Sequence, residues 1–320
     1  MTTYADTTTE IRPYSPGKDR LRSLREELAA RIASALPHDG GIEPLDGVVL
    51  RRESAPTPPN YGTSHASVCI VAQGSKELIL GKQAFHYDPA HYLITTASLP
   101  IISRVVEASP EIPYLAIVLR LDPVMVGSVL MDAGYLPTRK SKSVRAVNVS
   151  ELDEELLDAA VRMIKLLDHP EDVDFLLPLI KREIIYRLLQ GEQGDRLLQI
   201  SVMRGYTHEI SRAIDKIRSN FHRPLKIEEL ARELGMSVSG FHHQFKAVTG
   251  MSPLQFQKQL RLQEARRLML VEGLDATSAG YRVGYNDPSH FNRDYRKLFG
   301  APPMRDIERF REVSTYASAV

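Results

Sequence analysis

Two sets of polar and basic residues recur at matched spacing in the last third of the chain. The first is Ser239, His242, His243 and Lys246; the second is Ser289, Asn292, Arg293 and Arg296. Each set runs i, i+3, i+4, i+7, which is one face of a helix. The chemistry these side chains offer is directional hydrogen bonding and charge. Arg293 can give two parallel N–H bonds to guanine O6 and N7, and Asn292 can pair with adenine. Lys246, Arg296 and Lys297 suit phosphate oxygens, which supply affinity and register with little sequence choice. The opposite face of each row is apolar: Phe241, Phe245 and Val248 in the first, Phe291, Tyr295 and Leu298 in the second.

Each row needs a short helix and a turn ahead of it to hold it outward. Upstream of the first, Ile227, Leu230, Ala231 and Leu234 form an apolar stripe. Gly235 then fits a left-handed helix end, and Ser237 can cap the helix Val238–Thr249. Upstream of the second, Ala279, Val283 and Tyr285 pack and Gly284 makes the turn. Asn286 or Asp287 caps, with Pro288 at the first helical position. Between the units, Ser252-Pro253 opens a long helix to about Val271 with apolar residues on more than one side. Such a helix would clamp two helix-turn-helix units so that one chain addresses two successive major-groove segments, ~34 Å apart. Thr207 is expected to cap a leading helix, His208–Asn220.

These residues carry a resemblance. His208–Arg311 resembles the AraC/XylS-type DNA-binding domain. The marks include Leu230-Ala231, Phe245-Lys246, Ser252-Pro253, Arg261-Leu262, Gly284-Tyr285, Ser289-His290-Phe291, Phe299-Gly300 and Pro302-Pro303. The resemblance implies base contacts from Ser239, His242 and His243, then from Ser289, Asn292 and Arg293. Ser278-Ala279 stands where the family usually has Ile-Ala, which implies a looser second unit. His242 and His243 replace longer or more basic side chains, which implies fewer direct base contacts from the first.

The N-terminal half reads differently. Leu21, Leu24, Leu28, Ile32 and Leu36 mark a helix over 18–36, after a polar, disordered start. Between residues 43 and 121, β-prone runs appear at Val48–Leu50, Ser67–Gln73, Glu77–Leu80, Gln83–Tyr87, His91–Thr96, Ser103–Glu107 and Tyr114–Leu121. Gly74-Ser75, Gly81-Lys82 and Asp88-Pro89 read as tight turns between them. Many short strands suggest a small antiparallel barrel or sandwich. Helices are expected over Pro123–Asp132, Ser150–Leu167 (Ser150 capping) and Glu171–Leu189, packing on the barrel or forming a dimer interface. Leu45–Leu121 resembles the cupin-like N-terminal domain of one AraC-family branch, through Val71-Ala72-Gln73-Gly74-Ser75-Lys76, Tyr87-Asp88-Pro89 and Tyr114-Leu115-Ala116 among others.

The expected fold class is α+β: a cupin-like β-barrel with a helical dimerisation element, then an all-α domain with two helix-turn-helix motifs. The expected division is a tail and helix at 1–40, the sensory and dimerisation domain at 41–190, a linker at 191–206, the DNA-binding domain at 207–312 and a tail at 313–320. Charge supports it. The whole chain has 41 Lys and Arg against 40 Asp and Glu. Residues 201–320 hold 19 against 13, and residues 1–200 hold 22 against 27. A basic last third fits a polyanion partner.

The single cysteine, Cys69, sits in an apolar run and excludes a disulfide framework or thiolate zinc cluster. Neither a signal peptide nor a bilayer-spanning run is visible, so a cytoplasmic protein is expected. His65, His86 and His91 do not have the spacing of a catalytic cupin metal site, and no metal, cofactor or enzyme activity is expected. Arg104, Arg120, Arg139 and Arg145 could meet an anionic effector or pair with surface carboxylates. The resemblances imply a homodimeric, sequence-specific regulator binding promoter half-sites. It would respond to a small-molecule effector, engage RNA polymerase and activate rather than repress. Effector-contacting residues cannot be chosen without strand register. The alternatives are a regulator whose barrel only dimerises and a cupin metalloenzyme tethered to DNA.

Overall fold

The computed structural model describes residues 16–135, 145–200 and 206–317. The expected disordered start and Arg139 lie outside them. Helix α1 (Pro16–Ala35) buries Leu24, Leu28 and Ile32 on one face, as the leucine spacing requires. Strands follow: β1 (Gly40–Leu45), β2 (Val48–Glu53), β3 (Asn60–Thr63), β4 (Ser67–Gln73), β5 (Ser75–Leu80), β6 (Gln83–Tyr87), β7 (His91–Thr95), β8 (Pro100–Glu107) and β9 (Tyr114–Arg120). Helix α2 (Pro123–Asp132), capped by Asp122, separates these from β10 (Val147–Glu151). Among the described residues they form a six-stranded sheet, β1-β2-β9-β4-β7-β10, and a four-stranded sheet, β3-β8-β5-β6.

Only one of the three expected tight turns joins paired strands. Gly81-Lys82 closes the β5–β6 hairpin, with Leu80 opposite Gln83. Gly74 instead carries the chain from one sheet to the other, because β4 pairs with β7 and β9 rather than with β5. Its φ is +76°, and a Cβ there would run into the carbonyl oxygen of Glu107. Asp88-Pro89 is a second crossing, from β6 to β7.

Side-chain alternation gives each face of the larger sheet its own task. Val48, Leu50, Val68, Ile70, Ile94, Leu115 and Ile117 face the helices and join their core. Each fully buried Leu or Ile there contributes about 2 kcal/mol of transfer free energy. Val49, Arg51, Cys69, Leu93, Thr95 and Val118 face the barrel interior instead. The covering helices are α1, α3 (Glu154–Lys165) and α4 (Val173–Gln190).

The expected cap at Ser150 is corrected. Ser150 is the fourth residue of β10, opposite Tyr92. The alternation of Val147 and Val149 extends the strand past it, and Asp153 caps α3 by accepting from Leu156 N at 2.7 Å. The Ser150 hydroxyl instead donates to Glu192 and accepts from Gln193. Residues 191–206, expected as a linker, contain α5 (Gly194–Ile200), whose Leu197 and Ile200 enter the same core.

The remaining helices are α6 (Tyr206–Ser219), α7 (Ile227–Glu233), α8 (Val238–Thr249), α9 (Pro253–Val271), α10 (Ala276–Arg282), α11 (Pro288–Phe299) and α12 (Pro303–Ala317). Thr207 falls inside α6 rather than ahead of it, and α12 runs into the stretch expected as a tail. The fold is α+β. Among the described residues, no helix is long and apolar enough to cross a membrane.

Candidate nucleic-acid interface

The first helix-turn-helix unit is built as its sequence suggests. Leu230, Ala231 and Leu234 are buried, Gly235 turns the chain at φ +66°, and the Ser237 side chain accepts from Gly240 N at 3.1 Å. Phe241 and Phe245 are fully buried, and Phe245 meets Phe256 of α9 edge-on at 5.4 Å. Ser239, His243 and Lys246 are exposed. His242 is only half-exposed, because its ring lies beside Phe241 at 6.2 Å between centroids.

The second unit has stronger caps. Asp275 accepts from the backbone N–H groups of Thr277 and Ser278, at 2.9 and 3.0 Å, and from the Ser278 hydroxyl at 2.6 Å. Of the two expected caps for α11, it is Asp287, accepting from Ser289 N at 2.7 Å with Pro288 behind it. The inward pair on α10 is Ala279 and Gly280, one residue later than the sequence placed it, and Ser278 is exposed. Gly280 lies against the Phe291 ring, where a Cβ would be only 3.0 Å from Cγ. The packing loss expected at Ser278 therefore does not arise at that position. Phe291 and Tyr295 are fully buried, while Ser289, Asn292, Arg293 and Arg296 are exposed.

Some cations in this half meet carboxylates: Lys226 with Glu229 at 2.8 Å, Lys258 with Asp294 at 3.0 Å, and Arg267 with Glu264 and Glu272 at 2.9 Å. Among the described residues, Lys246, Arg293, Arg296 and Lys297 have no carboxylate within 4.0 Å. Four unneutralised cations on two adjacent reading helices make a surface suited to a polyanion.

The residue that sets the two helices relative to each other was not evident from the sequence as anything but a family mark. Arg261, in the middle of α9, donates to the carbonyl oxygens of Phe221 (2.7 Å), His222 (3.2 Å), Arg223 (2.9 Å) and Gly284 (2.8 Å). Three of these lie just ahead of the first unit and the fourth is the turn of the second. Gln257, one helical turn earlier, donates to Phe221 and Arg223 as well. Gly284 has φ +96°, and a Cβ there would overlap the His222 carbonyl oxygen and crowd Arg261. No local signal marks this role, because Arg261 shares its face of α9 with Gln257, Lys258 and Glu264. Below it, Arg266 pairs with Asp306 at 2.8 Å, and Asp306 accepts from the Tyr295 hydroxyl at 2.8 Å, all three buried.

Both reading helices touch the barrel at their C-terminal ends. The Val248 carbonyl of α8 accepts from Ala146 N at 3.1 Å. The Leu298 carbonyl of α11 accepts from the Tyr61 hydroxyl of β3 at 3.1 Å, and Tyr61 packs edge-on against Phe299 at 4.6 Å. The barrel holds a cavity of about 250 Å³ between its sheets. A second chamber of about 470 Å³ at its mouth shares Arg51, Thr63, Lys76, Ile101 and Ser103 with it and reaches Phe310 of α12. Arg104 and Arg120 are paired at the surface, with Glu77 and Glu43. Cys69 is buried beside the inner cavity, and burial pushes its thiol up, away from reactivity. His91 is held by Asp88 at 2.7 Å, and His86 is exposed on β6. Among the described residues, the group with metal-ligand spacing is His169, Glu171 and Asp172, fully at the surface and away from the barrel histidines.

Comparison with known proteins agrees with this geometry. Residues 44–196 match the family described as AraC-type transcriptional regulator N-terminus, and residues 230–309 match a helix-turn-helix domain. The transcriptional activator RhaS of Salmonella paratyphi A is 26% identical over 164 residues, 50% of this chain and 57% of that protein. The chain thus aligns with little more than half the length of these relatives. Crystal structures of ToxT from Vibrio cholerae share the fold. The O395 protein bound to (E)-4-(8-methylnaphthalen-1-yl)but-3-enoic acid aligns with a TM-score of 0.53 at 12% identity, over 81% of this chain and 97% of that one. Apo ToxT K231A from strain SCE256 aligns with a TM-score of 0.50 at 10% identity, over 82% and 97%.

Proposed function

Since the chain belongs to the AraC family of DNA-binding transcriptional regulators, we propose that it is a ligand-responsive activator that reads two successive major-groove segments of a promoter half-site. The observation that carries this is the pair of unneutralised rows held at one relative setting by Arg261. Ser239, His242 and His243 face bases in one segment, and Ser289, Asn292 and Arg293 face bases in the next. Lys246 and Arg296 bind phosphates. Activation follows the reading of RhaS, and contact with RNA polymerase and a cytoplasmic setting follow from activation.

The barrel cavity takes the effector, as a similarly folded domain arrangement in ToxT accompanies a bound organic acid. An effector shifts DNA binding only if it prefers one docking of the barrel on the reading helices over another. The second copy in a dimer covers α4. Phe175, Leu179 and Tyr186 of that helix are 76%, 51% and 47% exposed at i, i+4 and i+11, an apolar stripe beside the exposed Val124 and Met131 of α2.

Anisotropy titrations of a promoter fragment test the reading. Lys246→Ala should weaken binding to all sequences alike and lower the salt slope by about 1, whereas Arg293→Ala should cost roughly 1–3 kcal/mol at one base step. If neither variant changes affinity, the placement of the reading faces is wrong.

A further inference from the structure

Strand register places two cations at inward positions of the barrel, Lys76 half-buried and Arg51 exposed at the rim. Arg51 follows Val49 on the inward face of β2, and Lys76 precedes Leu78 on the inward face of β5, in the opposite sheet. Both line the inner cavity and its mouth. Among the described residues, neither has a carboxylate oxygen within 4.0 Å, whereas Arg104 and Arg120 of the same barrel are both paired. Glu53, half-buried at the mouth, makes no ion pair with either. Burial pushes the Lys76 amine below its usual range, and Arg51 adds to that. Glu53 offsets part of this from beyond ion-pair distance, so Lys76 is only partly neutralised and an anion beside it would relieve its repulsion from Arg51.

The surroundings narrow the ligand. Tyr87 and Tyr114 are fully buried at the cavity, and the Tyr114 hydroxyl lies 4.0 Å from the Cys69 sulfur, a weak acceptor. These phenols therefore retain donor capacity for an oxygen anion. The remaining walls carry the apolar Leu78, Leu93 and Val118, hydroxyls such as Thr95, and His65 beside Arg120, which is itself paired with Glu43.

We propose that the barrel takes a small organic carboxylate, its anionic group held between Lys76 and Arg51 and its apolar body against Leu78, Leu93 and Val118. This rests on the effector reading above and names the class of effector. Phe310 of α12 closes the same mouth, so an occupant reports directly to the DNA-binding half.

Thermal unfolding of the full chain with benzoate, cinnamate and hexanoate, each beside its primary amide, tests the proposal. The acids should raise the melting temperature in a concentration-dependent way and the amides should not. Lys76→Met should weaken the acid response about ten-fold or more, since it removes a charged hydrogen-bond donor. It should also raise the melting temperature of the ligand-free protein, whereas a merely structural lysine would lower it. Lys76→Arg should keep the response. Amides that stabilise as well as acids would overturn the carboxylate and leave an effector in the barrel. Acids that stabilise Lys76→Met unchanged would place their binding elsewhere and overturn it too. No response to any compound, with Lys76→Met less stable, would remove both the carboxylate and the effector reading.

Discussion

The two helix-turn-helix units have the same outline but different foundations. The first has no core of its own: Leu230, Phe241, Phe245 and Val248 belong to one continuous cluster with Leu78, Leu80 and Phe85 of the barrel. The second closes on itself, with Leu262, Leu268, Ala279, Val283, Phe291 and Tyr295 around the buried Arg266–Asp306 pair. Any repacking of the barrel would therefore reach the first unit through apolar contact. It would reach the second through a few defined contacts at Tyr61, Phe299 and Arg266, whose guanidinium lies 5.0 Å over the Tyr61 ring.

The comparison breaks most visibly at Arg266. Arg266→Met leaves Asp306 buried without its partner, at a cost of roughly 3–5 kcal/mol. Hydrogen exchange should show α10–α12 opening while α7 and α8 stay protected. Equal loss in both units would mean that the second core is not separate. The next largest effect is expected at Gly284. A side chain there meets both a left-handed backbone and the His222 carbonyl, so Gly284→Ala should cost roughly 2–3 kcal/mol. Arg261→Ala should preserve more of the fold and lose the relative setting of the units. Binding to a site with both segments should fall toward that of a site with one, as read by anisotropy.

Smaller effects sharpen the comparison. Tyr61→Phe removes one hydrogen bond between β3 and Leu298, about 1 kcal/mol. It should change ligand-dependent DNA binding more than ligand-free stability. The smallest effect is a pH dependence confined to the second unit. The Ser278 hydroxyl and nearby N–H groups hold Asp275 below the usual carboxylate range, and Ser289 N does the same for Asp287. A lowered folded value means that the contribution is complete above the unfolded value, about 3.9, and is lost as pH falls through the folded one. Asp275→Asn with Asp287→Asn keeps the caps without the titration. The acid limb of the melting curve should then be flatter than in the parent, and an unchanged limb would contradict the assignment.

The DNA-binding half was far more legible than the barrel. Its signals are local: Ser237, Gly235, Ser252-Pro253 and Pro288 fix helix ends within a few residues, and α8, α9 and α11 start where those residues predict. The outward rows follow from helical spacing alone, apart from the partial burial of His242. In the barrel the decisive facts are long-range. Gly74 and Asp88-Pro89 have turn chemistry but serve as crossings between sheets, which only pairing can show. β1 and β3 have too little apolar alternation to be read as strands, and β10 offers only Val147 and Val149. The pairing of Arg51 and Lys76 across the cavity needs the register of two separated strands, and the role of Arg261 needs carbonyls from two separate loops. Neither leaves a local mark.

The central claim is that one chain reads two segments through two units at a fixed separation. Selection of binding sites from random duplex DNA by the full chain, and by Arg293→Ala in parallel, tests it most directly. The account predicts two short sequence blocks about one helical turn, ~10 base pairs, apart, with Arg293→Ala losing preference in one block and keeping it in the other. A single block, or equal loss of preference in both, would contradict it.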